Sequence, residues 1–402
     1  MIRAPWLLLS AFALLVSASA CKPREKKDIE NDTGPKKADA LAAVPESGGE
    51  VLIGYFGSMT GDKASFGSAT KNGVELAINE INAAGGIKSK GGTKLKLAVE
   101  DDRGTPEETR TVVTKLINND RVVALIGEVA STLSLAAAPE AQGAGVPMIS
   151  PSSTNPQVTA VGPYVFRVCF IDPFQGKVMA TFASKSLNAK KAAILTDVKS
   201  DYSQGLATFF KQDFTADGGS IVAETSYSAG DPDFKGQLST IKGAAPDVVF
   251  IPGYYGDVAV IAKQAKELGI TAALLGGDGW DSPKLVEIAG PAIEGAYFSN
   301  HYTIEDTDPK IQAFASTFRG KYTVDPDGLA ALGYDAAKIL ADAMERSKSL
   351  KPSDVREALA ETKNFPGVTG TITIDKERNA TKSAVVLQVT GGKFAFKERI
   401  NP

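Results

Sequence analysis

The chain has 402 residues, 43% hydrophobic and 23% charged, with 44 Lys/Arg against 47 Asp/Glu. A net charge of −3 leaves no basic surface of the kind nucleic-acid binding needs. One histidine (His301) and two cysteines (Cys21 and Cys169) are too few for a His/Cys metal cluster or a disulfide framework.

In chain order, Met1–Ala20 comes first. Arg3 is followed by seventeen uncharged residues that end at Ala18-Ser19-Ala20-Cys21, the layout of an export signal and its cleavage site. The run is short for a span of ~20 residues. A cysteine directly after the cut resembles a bacterial lipobox, which implies a lipid on Cys21. Ala18 stands where such boxes usually carry Leu, and Ala18 with Ala20 equally suits ordinary signal peptidase at the same bond. Residues 21–49 are charged and poor in large apolar groups, so they are expected to form a flexible tether to a membrane.

From Glu50 on, about 350 residues predict two domains. No further apolar run is long enough to cross a membrane. Short apolar strands alternate with amphipathic helices: Val51–Phe56, a helix from Gly67 to Ala84, Leu95–Val99, a helix Pro106–Asn118, Val122–Ile126, a helix Leu133–Gln142, and Pro147–Ile149. Cys169 lies in a strand-like run and reads as a buried, inert thiol. The rhythm resumes with Ala192–Leu195, Tyr202–Asp217, Ile221–Thr225, Phe234–Ile241, Val248–Ile251, Asp257–Leu268, Ala273–Leu275, Pro283–Ile288 and Ala296–Asn300. Three helices follow (Pro309–Tyr322, Leu329–Arg346, Ser353–Glu361), then strands Thr369–Ile374, Ala384–Val389 and Lys393–Lys397. The expected fold class is α/β: two doubly wound parallel-sheet lobes joined by a hinge of several crossovers. Residues 50–169 and 300–376 would form one lobe, and 170–299 and 377–402 the other.

Ligands of such sheets bind beyond the carboxyl ends of the strands. Those ends carry Gly57-Ser58-Met59-Thr60-Gly61, with Ser65-Phe66-Gly67 soon after, Gly127-Glu128-Val129-Ala130-Ser131-Thr132, and Ser150-Pro151-Ser152-Ser153-Thr154 in the first half. The second half has Gly253-Tyr254-Tyr255-Gly256 and Gly276-Gly277-Asp278-Gly279-Trp280-Asp281. Hydroxyls at a helix N-terminus suit a carboxylate. A carboxylate among aromatic rings suits an ammonium group. Together they describe a free amino acid between two lobes. Each signal has a plainer reading as well: a helix cap for Ser131, turn chemistry for Asp278, core packing for Tyr254 and Trp280.

Several of these stretches, with Ile53-Gly54, Glu100-Asp101-Asp102, Ile126-Gly127, Tyr334-Asp335-Ala336-Ala337 and the helix Gly73–Asn82 before Gly85-Gly86-Ile87, resemble one family. It is the type I periplasmic binding proteins of branched-chain amino-acid ABC importers, the leucine/isoleucine/valine-binding group. The resemblance implies that Ser131 and Thr154 hold the ligand carboxylate, with Thr132, Ser152 and Ser153 beside them and the Ser152 carbonyl on the ammonium. It implies that Asp278 pairs with the ammonium, Tyr254 supports it, Tyr202 closes the second-lobe side, Phe66 stands at the cleft mouth and Trp280 shapes the side-chain pocket. Asp278 replaces the longer Glu of the best-known members, so a leucine preference does not carry over. The first-lobe disulfide of some members is missing. The implied partners are an amino acid and ABC permease subunits, with the protein a monomer without metal or cofactor.

An enzyme is the first rival, but no G-x-G-x-x-G or P-loop stands at a strand–helix junction, and His301 beside Tyr302 reads as a surface residue. An extracytoplasmic sensor of the same fold, or a binder of amides and other amino-acid-like solutes, remains as the alternative.

Overall fold

The computed structural model describes residues 47–401, with Met1, Asp39, Val44 and Pro45. The export signal beyond Met1, Cys21 and most of the expected tether lie outside the described residues. The described end of that stretch is held by the folded body. Ser353 donates through its N–H and Oγ to the Asp39 carboxylate at 3.0 and 2.5 Å, and Gly48 N–H donates to Lys90 O at 2.9 Å.

The first lobe runs β1 (Glu50–Gly57), α1 (Ala64–Ala83), β2 (Lys94–Asp101), α2 (Pro106–Asn118), β3 (Ala124–Ile126), α3 (Ser131–Ala144), β4 (Met148–Ser150), α4 (Gln157–Ala160) and β5 (Val165–Arg167). Its strands lie in the order β2-β1-β3-β4-β5, all parallel. β1 occupies an inner position, so Val51, Ile53, Tyr55 and Phe56 are all buried and the strand reads as a continuous apolar run. Local chemistry sets the helix ends. Thr105 Oγ1 accepts from Glu108 N–H at 3.3 Å, Pro106 opens the first turn of α2, and Glu107 and Glu108 face the positive end of its dipole.

The second lobe comprises α5 (Asp172–Thr181), β6 (Lys191–Asp197), α6 (Asp201–Ala216), β7 (Ser220–Tyr227), α7 (Lys235–Ala244), β8 (Val248–Phe250), α8 (Tyr255–Glu267), β9 (Ala273–Gly276), α9 (Pro283–Ala289) and β10 (Tyr297–Asn300). The order β7-β6-β8-β9-β10 repeats that of the first sheet, again parallel. The chain then returns through α10 (Pro309–Tyr322), α11 (Gly328–Arg346) and α12 (Pro352–Ala360). A small antiparallel sheet of β11 (Phe365–Gly367), β12 (Gly370–Ile374) and β13 (Ala380–Thr381) follows. Finally β14 (Ala384–Thr390) and β15 (Lys393–Ile400) extend the second sheet in antiparallel fashion beside β10. The chain passes between lobes near 168–171, 301–308 and 382–383, which is the multi-crossover hinge.

Two differences from the expected elements bear on the site. α5 was not expected, because Pro173 and Gly176 obscure any apolar stripe. Gly176 is where the helix backs onto α6: a Cβ there would lie 2.6 Å from the Phe209 Cβ. The strand expected at Thr369–Ile374 forms as β12, in the small sheet and in neither large one.

Candidate functional site

The loops beyond β1, β3 and β4 meet those beyond β6, β8 and β9 around a narrow pocket. Phe66, Val129 and Ser152 line it from the first lobe, Tyr202, Tyr254, Asp278 and Gly279 from the second, and Leu329 from the start of α11.

Asp278 anchors the second-lobe wall and is only 5% exposed. Its Oδ1 accepts from Tyr202 Oη at 2.9 Å and from Gln175 Nε2 at 2.8 Å, while its Oδ2 lies 3.0 Å from His301 Nε2. Tyr202 stacks on Tyr254 with ring centroids 5.2 Å apart, and Phe66 meets Tyr254 edge-on at 5.8 Å. The backbone turn that presents Asp278 requires Gly277, since a Cβ there would lie 2.3 Å from Tyr202 Oη and 2.9 Å from Gln175 Nε2. His301 corrects the sequence reading. It is buried, stacked on Phe170 at 3.6 Å, and burial outweighs the Asp278 carboxylate to bring its pKa down to about 4.

On the first lobe, β3 delivers Glu128 to the N-terminus of α3. Ser58 donates to Glu128 Oε1 through its N–H at 3.0 Å, and Ser58 Oγ also lies 3.0 Å from that oxygen. Ala130 N–H donates to Glu128 Oε2. Ser58 Oγ lies 2.9 Å from Asp102 Oδ1 as well, so a single hydroxyl bridges two buried acids. Burial, with Asp102 adding to it, pushes Glu128 up to about 8 and keeps this wall nearly neutral. The backbone N–H groups of Ser131 and Thr132, which open α3, have no i−4 carbonyl within the helix, and its dipole turns its positive end to the cleft.

The expected site residues divide into three groups. Phe66, Ser152, Tyr202, Tyr254 and Asp278 line the cavity. Ser131, Ser153 and Thr154 are buried behind it. Ser131 Oγ accepts from Asn155 N–H at 3.3 Å, and Ser153 Oγ faces the Glu128 and Val129 carbonyls at 3.0 and 2.9 Å. Among the described residues the hydroxyls of Ser152 and Thr154 have no hydrogen-bond partner. Thr132 and Trp280 do other work. Thr132 Oγ1 donates to Asp201 Oδ2 at 2.8 Å and accepts from Asp201 N–H at 3.1 Å, tying α3 to α6 across the cleft. Trp280 is turned into the core, its indole N–H donating to Ile251 O at 3.0 Å.

Other bonds join the lobes: Asn155 Nδ2 to Asp201 O at 2.8 Å, Ser65 Oγ to Ser282 Oγ at 2.8 Å, and Gly328 N–H to Asp281 Oδ2 at 2.7 Å. The clamshell is closed. Cys169 donates to Ser153 O at 3.4 Å, and burial pushes its thiol up to about 12, so it stays protonated and unreactive. Gln175, His301 and Glu128 escaped the sequence reading. For Gln175 the available signal was the Asp172-Pro173 helix start after a strand-like run.

This geometry agrees with the comparisons to known proteins. The periplasmic binding protein family profile matches residues 50–393. The chain belongs to the periplasmic binding protein family. It is 32% identical to the leucine-, isoleucine-, valine-, threonine- and alanine-binding protein of Pseudomonas aeruginosa, over 81% of this chain and 86% of that one. A leucine-binding protein from Thermotoga maritima superposes with a TM-score of 0.84 at 42% identity, covering 88% of this chain and 99% of that one. The branched-chain amino acid transporter substrate-binding protein of Streptococcus pneumoniae, solved with isoleucine, superposes at 0.83 with 35% identity, covering 88% and 100%. Membership of this family implies an exported protein of the periplasm.

Proposed function

We propose that this periplasmic binding protein is the solute-binding component of an ABC importer, closing on a neutral amino acid with an aliphatic side chain and delivering it to a membrane permease. The carrying observation is the polarity of the closed cavity. Asp278 among aromatic rings lines the second-lobe wall, and Ser152 lines the first-lobe wall with a hydroxyl that has no partner among the described residues. The apolar groups of Phe66, Val129 and Leu329 line the rest.

In this reading the ligand carboxylate takes the free N–H groups of α3 and the hydroxyls of Ser131 and Thr154, with Ser153 holding their loop. The Ser152 carbonyl and Asp278 take the ammonium, and Tyr202 and Tyr254 wall it from water. Thr132 serves closure and touches no ligand. Residues 50–169 and 301–381 act as one rigid body, since β13 pairs with β12 and Asn379 bonds to Thr159, and 170–300 and 382–402 act as the other, rotating about the three crossovers. The protein works as a monomer, tethered through a lipid on Cys21, and binds its ligand without transforming it.

A thermal-shift screen of the twenty amino acids and common amides tests this. Leucine, isoleucine and valine are expected to raise Tm, because a ligand at 100 times its Kd stabilises the folded state by about 2.7 kcal/mol. No shift with any of them, alongside a clear shift with a solute lacking an amine, overturns the proposal.

A further inference from the structure

We infer that Gln175 and His301 are positioning residues for the ammonium end of the ligand: they fix the Asp278 carboxylate in one orientation and leave a single acceptor position, on Oδ2, for the ligand. The inference deepens, and rests on, the reading of the cleft as an amino-acid site.

An ionised carboxylate offers about four acceptor positions. Three are already taken within the protein. Tyr202 Oη and Gln175 Nε2 occupy both on Oδ1, at 2.9 and 2.8 Å. His301 Nε2 occupies one on Oδ2, at 3.0 Å. Asp278 lines the cavity, so the remaining position on Oδ2 is the one left for the ligand.

The Gln175 amide donates its second N–H to Ser299 Oγ at 3.0 Å, and its Oε1 has no partner among the described residues. Turning the amide over would set Oε1 against a carboxylate, so Asp278 fixes which way it points. His301 is a neutral ring: with Nε2–H donating to Asp278, Nδ1 carries the lone pair, and Nδ1 has no partner among the described residues. Stacking on Phe170 fixes the ring plane. A neutral donor is chemically important, since an imidazolium would cancel the charge that Asp278 offers the ligand. The two side chains thus orient the acid without discharging it.

The test uses the full chain and L-leucine as probe, by titration calorimetry, with His301→Phe, His301→Gln and Gln175→Met. His301→Phe and Gln175→Met each remove a donor that orients the Asp278 carboxylate, and each is expected to weaken leucine by about tenfold or more. His301→Gln restores a neutral donor and is expected to recover most of that loss. The amine-free analogue 4-methylpentanoate, measured by displacement of leucine, is expected to change by less than about threefold in any variant, since no ammonium is there to be aligned. Equal losses in His301→Phe and His301→Gln, or equal losses for leucine and its amine-free analogue, would assign these residues to packing alone and overturn the inference. If unaltered protein binds 4-methylpentanoate as tightly as leucine, the amino-acid reading itself fails, and the inference with it.

Discussion

Asp278→Asn is expected to weaken L-leucine binding by about 30-fold or more while leaving the fold intact. Asp278 is the one acidic side chain lining the cavity among the described residues, and truncating one partner of a buried charge pair costs ~2–5 kcal/mol. The lower end of that range is already about 30-fold. Asparagine keeps the shape and one carbonyl oxygen for Tyr202 and Gln175, so the loss reads charge. Asp278→Ala is expected to lose at least as much affinity and also stability, because Tyr202, Gln175 and His301 would each lose an acceptor. Calorimetry with both variants checks this. An unchanged affinity in either would remove Asp278 from the site.

Gly73→Val is expected to destabilise the first lobe by ~3 kcal/mol or more, at the upper end of what overpacking costs. α1 and α11 cross with their backbones in contact. A Cβ on Gly73 would lie 1.9 Å from the Ala330 carbonyl oxygen and 2.9 Å from Tyr334 N, and one on Gly333 would lie 2.4 Å from the Thr70 oxygen. These neighbours are main-chain atoms, so no rotamer change relieves the clash. Gly143→Ala supplies the contrast. That glycine is inside α3 with nothing within 4 Å of an added Cβ, and alanine there is expected to stabilise by about 0.5–1 kcal/mol. Thermal unfolding of both variants, with a drop of roughly 5 °C or more for Gly73→Val, checks the helix crossing. Equal Tm values would show that the crossing yields easily.

The fold was legible where local chemistry and burial agree. β1 and β8 read as strands because parallel strands covered on both faces are unbroken apolar runs. α2 was bounded correctly because Thr105, Pro106 and the two glutamates mark its start. α5 was hidden for the opposite reason: Gly176 is required by the contact with α6, a tertiary demand that leaves no periodic trace. Missing α5 meant missing Gln175.

The site was legible as loops and less so as contacts. Strand ends pointed to Phe66, Ser152, Tyr254 and Asp278 and the family resemblance to Tyr202, and all five line the cavity. Thr132 stands at the cleft bonded to Asp201, 69 residues away, a partner that nothing in its sequence neighbours announces. Trp280 follows Asp278 by two residues, yet the short helical turn from Asp278 to Trp280 sends its ring inward under Gly276. His301 looked exposed because its burial comes from Phe170, more than a hundred residues earlier in the chain.

Crystals of the protein grown with L-leucine test the central claim most directly. The expected structure has leucine inside the closed cleft, its ammonium about 3 Å from Asp278 Oδ2 and its carboxylate at the N-terminus of α3. Leucine bound outside the cleft, or inside it with its carboxylate turned toward Asp278, would contradict the account.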